Sequence, residues 1–140
     1  MNMKVIMLTG PANSGKTTTL NLVYDSLMSL PGAQQVRQKR QLGGNPNDFE
    51  CVIHVALIPN ALPLNIAFYT MGDYAIEVSC AMAYYDGMGV DRLIVANSNF
   101  VRPQDRLSLY SNSVNLPKTV DSLNQNAANA SDCGRIIGCI

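Results

Sequence analysis

The stretch LTGPANSGKTTTLN, residues 8–21, constrains the fold of this chain more than any other segment. It overlaps the end of a continuous apolar run over 3–8, MKVIML, which is typical of a strand buried in the centre of a parallel sheet. After the glycines, leucine and valine recur at steps of three and four, which predicts an amphipathic helix over 16–30 that Pro31 and Gly32 end. The chain therefore begins as a buried strand, a glycine-containing loop and a helix.

The middle of the chain predicts a hairpin beside a polar surface segment. Apolar runs at 51–58 and 64–71 flank the sequence PNALP, whose prolines do not fit inside a strand ladder, so these runs are expected to pair antiparallel. The segment before them, 33–50, is polar, basic in its first half and rich in turn residues in its second. We expect it to form a surface excursion, part of which can pair as an edge strand.

Strand and helix signals continue to alternate toward the C-terminus. A helix is predicted over 74–88 and a buried strand over 91–97. Two more helices are predicted, within 103–114 and 118–130, followed by a loose glycine-containing tail. The 140 residues fit a single domain, 1–140, and the alternation predicts a three-layer α/β/α fold with a mainly parallel sheet and one hairpin.

Composition and charge exclude several classes of partner. Ten basic and ten acidic residues cancel, so no broad electrostatic surface for nucleic acid or an anionic membrane is expected. No apolar stretch approaches the ~20 residues that a membrane-spanning helix needs. The four cysteines form no C-x-x-C pair and His54 is the single histidine, so no zinc site is predicted and the thiols are expected to be reduced. We therefore expect a cytoplasmic protein.

A phosphate-binding motif occupies the glycine loop. Residues 10–17, G-P-A-N-S-G-K-T, satisfy the P-loop pattern G-x-x-x-x-G-K-[ST] at every specified position. The glycines let the backbone curl so that N–H groups point inward, and the following helix adds the positive end of its dipole. The Lys16 ammonium is expected to reach the β- and γ-phosphates, and the Thr17 hydroxyl is the expected Mg²⁺ ligand. The residues predicted to contact the nucleotide are Gly10, Pro11, Ala12, Asn13, Ser14, Gly15, Lys16, Thr17 and Thr18.

On this motif the chain resembles the superfamily of P-loop nucleoside triphosphate hydrolases, over about its first thirty residues. The resemblance implies a P-loop NTPase-like fold that binds Mg²⁺ with ATP or GTP and cleaves the β–γ phosphate bond, with Lys16 as a catalytic residue. ATP is favoured because the guanine-reading sequence N-K-x-D of GTPases is missing, and the corresponding stretch, 95–100, reads VANSNF. Asn97 and Ser98 still lie at a strand's carboxyl end, where α/β sheets bind ligands.

The resemblance also implies a carboxylate near the magnesium, and Asp73, after the apolar run 66–71, is the candidate. As a Walker B residue it would hold Mg²⁺ together with Thr17 and take part in catalysis. Alternatively, T-M-G at 70–72 resembles the T-A-G of small GTPases, which would make Asp73 the residue that orients the attacking water. Tyr69 then stands where that family has a metal-binding aspartate. A third interpretation is that Asp73 only caps the next helix.

Three function classes remain open from the sequence. The first is a nucleoside triphosphatase. The second is a kinase that transfers the γ-phosphate to a small molecule or nucleotide. The third is a nucleotide-binding switch or assembly subunit with little turnover, which would act with a protein partner or as a homo-oligomer.

Two basic stretches bear on these alternatives. The segment 37–48 carries three basic residues, a double glycine and Asp48, which fits an acceptor-binding region, a mobile lid or a solvated edge. Arg102 and Arg106 are one helical turn apart after the strand at 91–97, and they fit either a phosphate clamp or solvated charges that open a helix.

Overall fold

The computed structural model describes residues 2–72, 74–98 and 107–140. Within these ranges the chain forms six strands and three helices. In chain order they are β1 (Lys4–Gly10), α1 (Lys16–Met28), β2 (Gln34–Gln41), β3 (Phe49–Val55), β4 (Leu64–Tyr69), α2 (Ala75–Met88), β5 (Arg92–Ser98), β6 (Val114–Pro117) and α3 (Gln125–Cys139). None of these described helices has the length and apolar character that a membrane span requires.

The six strands join one sheet in the order β2-β3-β4-β5-β1-β6. β1 lies parallel to β5 on one side and to β6 on the other, and β4 is parallel to β5. β3 runs antiparallel to both of its neighbours, β2 and β4. The predicted fold class, a three-layer α/β/α P-loop NTPase-like fold with a mainly parallel sheet and one hairpin, is wrong, because the sheet is mixed and antiparallel pairing joins three of its six strands.

The segment 33–50, expected as a surface excursion of which part can pair as an edge strand, forms the polar edge strand β2 over Gln34–Gln41. Every residue of β2, QQVRQKRQ, is exposed, so the strand buries no face and shows no apolar alternation. Its backbone ladder with β3 holds it in place, with register shifts between Gln35 and Arg40. An edge strand of this kind needs no hydrophobic face, and its charged side chains protect the free edge against further pairing.

Other predicted elements agree with the structure. The first strand and the helix after the glycine loop are confirmed by β1 and α1. The antiparallel pairing predicted for the two central apolar runs is confirmed by β3 and β4, which pair from Glu50 with Tyr69 to Val55 with Leu64. The predicted helix over 74–88 and the predicted strand over 91–97 correspond to α2 and β5.

Strand side chains alternate between the two faces of the sheet and form one apolar cluster on each. Leu20 and Leu27 of α1 join Ile136 of α3 in the cluster on one face. Val78 and Met82 of α2 belong to the cluster on the other face. Each of these side chains is almost fully buried, and burial of such a side chain stabilises a fold by about 1.5–3 kcal/mol.

The C-terminal third differs most from the sequence-based expectation. Of the helix predicted within 103–114, residues 103–106 lie outside the described part of the chain, and 108–112 form turns. Strand β6 follows and was not predicted, since its four residues end in a proline. The helix predicted over 118–130 begins only at Gln125, where the Asn124 side chain accepts a hydrogen bond from the Ala127 N–H at 3.1 Å.

The glycine-containing tail, expected to be loose, is the second half of α3. Gly134 and Gly138 each cost a helix about 1 kcal/mol relative to alanine. Burial of Cys133 and Ile136 against the sheet offsets that cost. Tertiary packing therefore extends a helix that the local sequence disfavours.

Candidate functional site

The glycine loop has the geometry of an anion-binding turn. β1 ends at Gly10 and α1 begins at Lys16, so five residues make the connection. Asn13 and Gly15 both have positive φ, 59° and 91°, which turns the backbone back on itself. The first turn of α1 contains no acidic residue, and Gly15 at its N-cap has no side chain to accept from its N–H groups. These donors and the positive end of the helix dipole suit a phosphate group.

Lys16 folds back across the loop. Its ammonium group donates to the carbonyl oxygens of Gly10 and Pro11, both at 2.7 Å. The Ser14 hydroxyl donates to the same Pro11 oxygen at 2.7 Å, and Ser14 is buried. The loop thus holds the lysine ammonium against its own carbonyl groups.

A carboxylate and two hydroxyl groups meet beside the loop. The Thr17 hydroxyl donates to Asp48 Oδ1 at 2.8 Å, and the Thr70 hydroxyl donates to the same oxygen at 3.0 Å. The Thr70 oxygen in turn accepts from the Phe49 N–H at 2.9 Å. These groups come from the start of α1, the β2–β3 turn and the end of β4. They are hard oxygen donors, the ligand type that Mg²⁺ prefers.

The β2–β3 turn is held against α1, which brings Asp48 to this position. The Asp48 carbonyl accepts from the Leu42 N–H at 2.9 Å, which closes the turn, and Leu42 is buried. The Asn21 amide donates both to the Thr17 carbonyl at 2.9 Å and to the Asn47 carbonyl at 3.0 Å. From the sequence, Asp48 was assigned only to an acceptor-binding region, a mobile lid or a solvated edge. No local pattern indicates that the β2–β3 turn folds back toward α1.

These groups line one cavity of about 450 Å³, the loop cavity, which is within the size range of small-molecule sites. Its lining comprises Ala12, Asn13, Ser14, Gly15, Lys16, Thr17, Thr18, Asn45, Asn47, Asp48, Thr70 and Gly72. Seven of the nine predicted nucleotide contacts are in this set. The other two, Gly10 and Pro11, accept from the Lys16 ammonium.

The predicted second carboxylate, Asp73, lies outside the described residues, as do Arg102 and Arg106. Tyr69, which occupies the place of a GTPase metal ligand, lines a different cavity, beside α2. The Gly72 N–H, in the T-M-G stretch, donates to the Thr70 carbonyl at 3.2 Å. Within the described residues no three His, Cys, Asp or Glu side chains cluster as a metal site.

A buried ion pair, Lys118 with Asp132, packs next to the start of the loop. The Lys118 ammonium lies 2.8 Å from Asp132 Oδ2, and both side chains are almost completely buried. The Lys118 N–H donates to the Thr9 carbonyl at 2.7 Å, and a Cβ added to Gly10 would lie 2.7 Å from that of Lys118. The Gln125 amide donates to the Ser14 carbonyl at 3.2 Å. The segment from β6 into α3 therefore packs directly against the loop.

Asp132 is ionised at this position. Burial by itself would raise its pKa, but hydrogen bonds from Lys118, Thr119 and Arg135 outweigh it and lower the pKa. The Thr119 N–H and hydroxyl both donate to the carboxylate at 2.8 Å. The sequence did not predict this ion pair, because no local pattern indicates that a lysine and an aspartate fourteen residues apart are in contact.

Asn97 and Ser98 lie at the carboxyl end of β5, beside the strand that carries the loop. They pair in register with Thr9 and Gly10 and are buried. Among the described residues, neither the Asn97 amide nor the Ser98 hydroxyl has a hydrogen-bond partner. The sequence predicted these polar groups at the carboxyl end of a strand, where α/β sheets bind ligands. In the structure they lie next to the start of the loop, and neither residue lines the loop cavity.

The basic residues of β2 are engaged elsewhere. Arg37 donates to the Tyr84 hydroxyl at 2.8 Å, and Arg40 forms an ion pair with Glu50. The Lys39 ammonium donates to the Asn21 amide oxygen at 2.9 Å. Their positions agree with the solvated-edge interpretation, because none of the three lines the loop cavity.

No family model matches this chain, and neither the curated proteins nor the solved structures yield a match.

Proposed function

We propose that this chain binds Mg²⁺ and a nucleoside triphosphate in the loop cavity and hydrolyses the β–γ phosphate bond. The observation that carries the proposal is the Thr17–Asp48 contact of 2.8 Å, which joins a P-loop hydroxyl to a carboxylate. A carboxylate next to the P-loop hydroxyl is the arrangement that a magnesium–phosphate complex needs. We propose ATP over GTP because the chain lacks the N-K-x-D sequence.

The loop and Lys16 would bind the phosphates. The loop N–H groups would donate to the phosphate oxygens. The Lys16 ammonium, which now donates to the Gly10 and Pro11 carbonyls, would donate to the phosphate oxygens instead. In a lysine–phosphate contact both partners are charged, whereas the Gly10 and Pro11 carbonyls are neutral acceptors, so the phosphate oxygens attract the ammonium more strongly. The exchange therefore favours the nucleotide-bound arrangement.

Thr17 and Asp48, with Thr70 beside them, would hold the metal ion. A hydroxyl that donates to a carboxylate keeps lone pairs for a cation, so the donor set fits Mg²⁺ in its present arrangement. When bound, Mg²⁺ neutralises the negative charge of the β- and γ-phosphate oxygens. Asp73 remains a predicted second carboxylate of this site.

Hydrolysis would proceed mainly by positioning and charge stabilisation. The oxygen of a water molecule bonds to the γ-phosphorus as the bond to the β–γ bridging oxygen breaks, and both water protons leave with inorganic phosphate. Lys16 and the loop N–H groups stabilise the charge on the transferred group. This reaction requires no covalent bond between the protein and the transferred phosphoryl group.

We also propose a cytoplasmic location. Cys51, Cys80, Cys133 and Cys139 carry free thiols, which suits a reducing compartment. Cytoplasmic pools also supply the nucleotide that the proposed activity needs.

Calorimetric titration with ATP in Mg²⁺, together with release of inorganic phosphate, tests the function. Lys16→Ala should weaken binding at least tenfold, about 1.4 kcal/mol, and abolish phosphate release. Lys39→Ala is the matched control, because Lys39 is also a lysine near α1 but lies against Asn21. Equal loss in both variants, or no binding by the unaltered chain, would contradict the proposal. Binding with formation of ADP and a phosphorylated acceptor, without release of inorganic phosphate and only when an acceptor is added, would support the kinase instead.

A further inference from the structure

The face of α2 that points away from the sheet is apolar. The inward residues of α2 join the apolar cluster on the sheet, and a row of exposed residues at steps of three and four runs along its other side. This row comprises Ile76, Cys80, Ala83, Tyr84 and Gly87. We call it the α2 stripe. A surface helix normally carries polar or charged residues at such positions.

The α2 stripe is open to solvent in the single chain. Ile76 is 72% exposed and Tyr84 is 52% exposed. A Cβ added to Gly87 would meet nothing within 4 Å, so this position is open as well. Because a helix that is apolar on all sides is normally buried on all sides, the stripe has the character of a surface that another chain covers.

Two opposite charges without an ion-pair partner flank the stripe. Arg37 of β2 donates to the Tyr84 hydroxyl at 2.8 Å, and Glu77 lies half-buried in the first turn of α2. No ion pair among the described residues involves either. Glu77 and Tyr84 line the same recess beside β2, so the two charges lie on one flank of the stripe. They are seven residues apart on the helix, about 10 Å along its axis.

This arrangement of charges is complementary to itself. When a second copy is placed on the stripe by a two-fold rotation that makes the two α2 helices antiparallel, its flank faces the same flank of the first copy. Arg37 of each copy then lies over the first turn of the other copy's α2, where Glu77 supplies the negative charge. The attraction acts through space and needs no contact with the carboxylate oxygens. Antiparallel helix dipoles add to it.

Two copies also meet no electrostatic obstacle. The stripe itself carries no charged residue, and the chain as a whole has a formal net charge of zero at pH 7. A partner of another sequence would have to supply both the apolar surface and the matching pair of charges. A second copy of this chain already has both.

We propose that the α2 stripe is the interface of a symmetric homodimer, with the two-fold axis beside Cys80, midway between Glu77 and Tyr84. The small residues Cys80, Ala83 and Gly87 let the two helices approach to the usual distance between axes, about 8–10 Å. One helix per copy makes an interface at the low end of specific interfaces, about 1,200 Å² in total, so we expect a micromolar Kd. The stripe shares no residue with the lining of the loop cavity, so the dimer forms without nucleotide.

Sedimentation velocity of the full chain without nucleotide, from about 1 to 300 µM, measures the dimer. Ala83→Glu brings two like charges face to face across the axis, so it should raise the dimer Kd at least tenfold. Ala130→Glu is the matched control, because Ala130 is an exposed alanine of α3, and it should leave the Kd unchanged. Equal Kd values in the two variants would overturn the proposal. A chain that stays monomeric over the whole range would also overturn it, and would leave a protein of another sequence as the occupant.

Thiol cross-linking locates the interface on the unaltered chain. Cys80 is exposed, whereas Cys51 and Cys133 are buried. A bis-maleimide whose span matches the about 8–10 Å between packed helix axes should join Cys80 to the same residue of the second copy, and mass spectrometry of the linked peptides identifies the link. A dimer that is not linked through Cys80, or is linked only through Cys139, would contradict the assignment. If Ala83→Glu does not fold, this link still decides.

Cys80→Ser provides the control for the cross-link. It keeps the size of the side chain, so it should abolish the link and leave the dimer Kd within about twofold of the unaltered chain. A link that persists in this variant would show that another thiol reacts, which would contradict the place of the axis.

Discussion

Asp48 is the residue that most affects what the loop cavity can bind. It supplies the single carboxylate among the described lining residues, and it lines the same cavity as Lys16. Without a metal ion, its negative charge opposes the approach of a triphosphate. With Mg²⁺ between them, the same charge becomes favourable, because the cation attracts both the carboxylate and the phosphates.

Asp48→Asn should therefore separate the metal-dependent part of binding from the rest. We expect nucleotide affinity in Mg²⁺ to fall at least tenfold, about 1.4 kcal/mol, and affinity in EDTA to stay equal or rise slightly. Calorimetric titrations under both conditions measure this. Asp25→Asn is the control, since Asp25 lies exposed on α1 away from the lining. If affinity in Mg²⁺ survives, Asp48 is not the ligand, and Asp73 becomes the remaining candidate of the sequence analysis.

Gly15 combines two constraints that can be measured separately. Its φ of 91° is in the left-handed region, and an added Cβ would lie 2.5 Å from Asn129 Oδ1. Gly32 also has a positive φ, 78°, but an added Cβ there meets nothing within 4 Å. Gly32→Ala should thus cost only the backbone strain, about 1–2 kcal/mol, whereas Gly15→Ala should cost more.

Urea unfolding of the two alanine variants and of Gly15→Ala with Asn129→Ala measures these costs. Removing the Asn129 side chain should reduce the cost of Gly15→Ala toward that of Gly32→Ala. Equal costs for the two single variants would show that contact with α3 does not constrain the loop.

At the scale of elements, α3 and the segment before it hold the loop in its conformation. Lys118 contacts both the start of the loop and the Asp132 carboxylate on α3. Removal of one member of a buried pair leaves the other charge uncompensated, which costs about 3–5 kcal/mol. The Arg135 guanidinium lies 2.8 Å from Asp132 Oδ1, but the Arg135 side chain is 40% exposed. Solvent therefore screens the contribution of this ion pair to stability.

The pH dependence of stability tests this pair. The folded-state pKa of Asp132 lies below its ordinary value of 3.8, so its charged form contributes stability that is complete above that value. That contribution is lost as the pH falls through the lower, folded-state pKa. Asp132→Asn should lose about 3–5 kcal/mol of unfolding free energy at pH 7, and the difference from the unaltered chain should shrink below about pH 4.

Urea unfolding at neutral and acid pH provides the measurement, with Arg135→Gln as the control. The control removes only the exposed partner and should cost no more than about 1 kcal/mol. A cost of Asp132→Asn that is the same at both pH values would show that its charge is not what stabilises the contact.

At the scale of the whole molecule, ligand binding and folding are linked. A nucleotide that binds only the folded chain, at a hundredfold excess over its Kd, adds about 2.7 kcal/mol of stability. For a chain of 140 residues this corresponds to a rise in Tm of about 8–12 °C. Thermal unfolding with ATP, GTP or neither, in Mg²⁺, measures it. Lys16→Ala should reduce the shift to about half or less, because binding at least tenfold weaker lowers the linkage free energy to about 1.4 kcal/mol or below. Unchanged melting curves with both nucleotides would contradict a nucleotide site.

The loop and its flanking elements could be predicted because their determinants are local. The apolar run of β1, the glycines and the helical periodicity of α1 all lie within the first thirty residues, and the structure confirms each element. The contacts within the loop cavity were only partly predictable. Thr17 was identified from the motif, but its described carboxylate partner is Asp48, and Asp73 lies outside the described residues.

The sequence alone determined the type and approximate place of β1, α1, β3, β4, α2 and β5, because hydrophobic periodicity and turn residues act between near neighbours. Only the tertiary structure decided which strands pair and which side chains meet. β2 shows no apolar alternation yet extends the sheet, and β6 joins β1 across more than a hundred residues. Asp48 reaches Thr17 from thirty-one residues away, through a turn that α1 holds in place. Such contacts depend on the order of the strands in the sheet and on which surfaces are buried. A local sequence pattern contains neither kind of information.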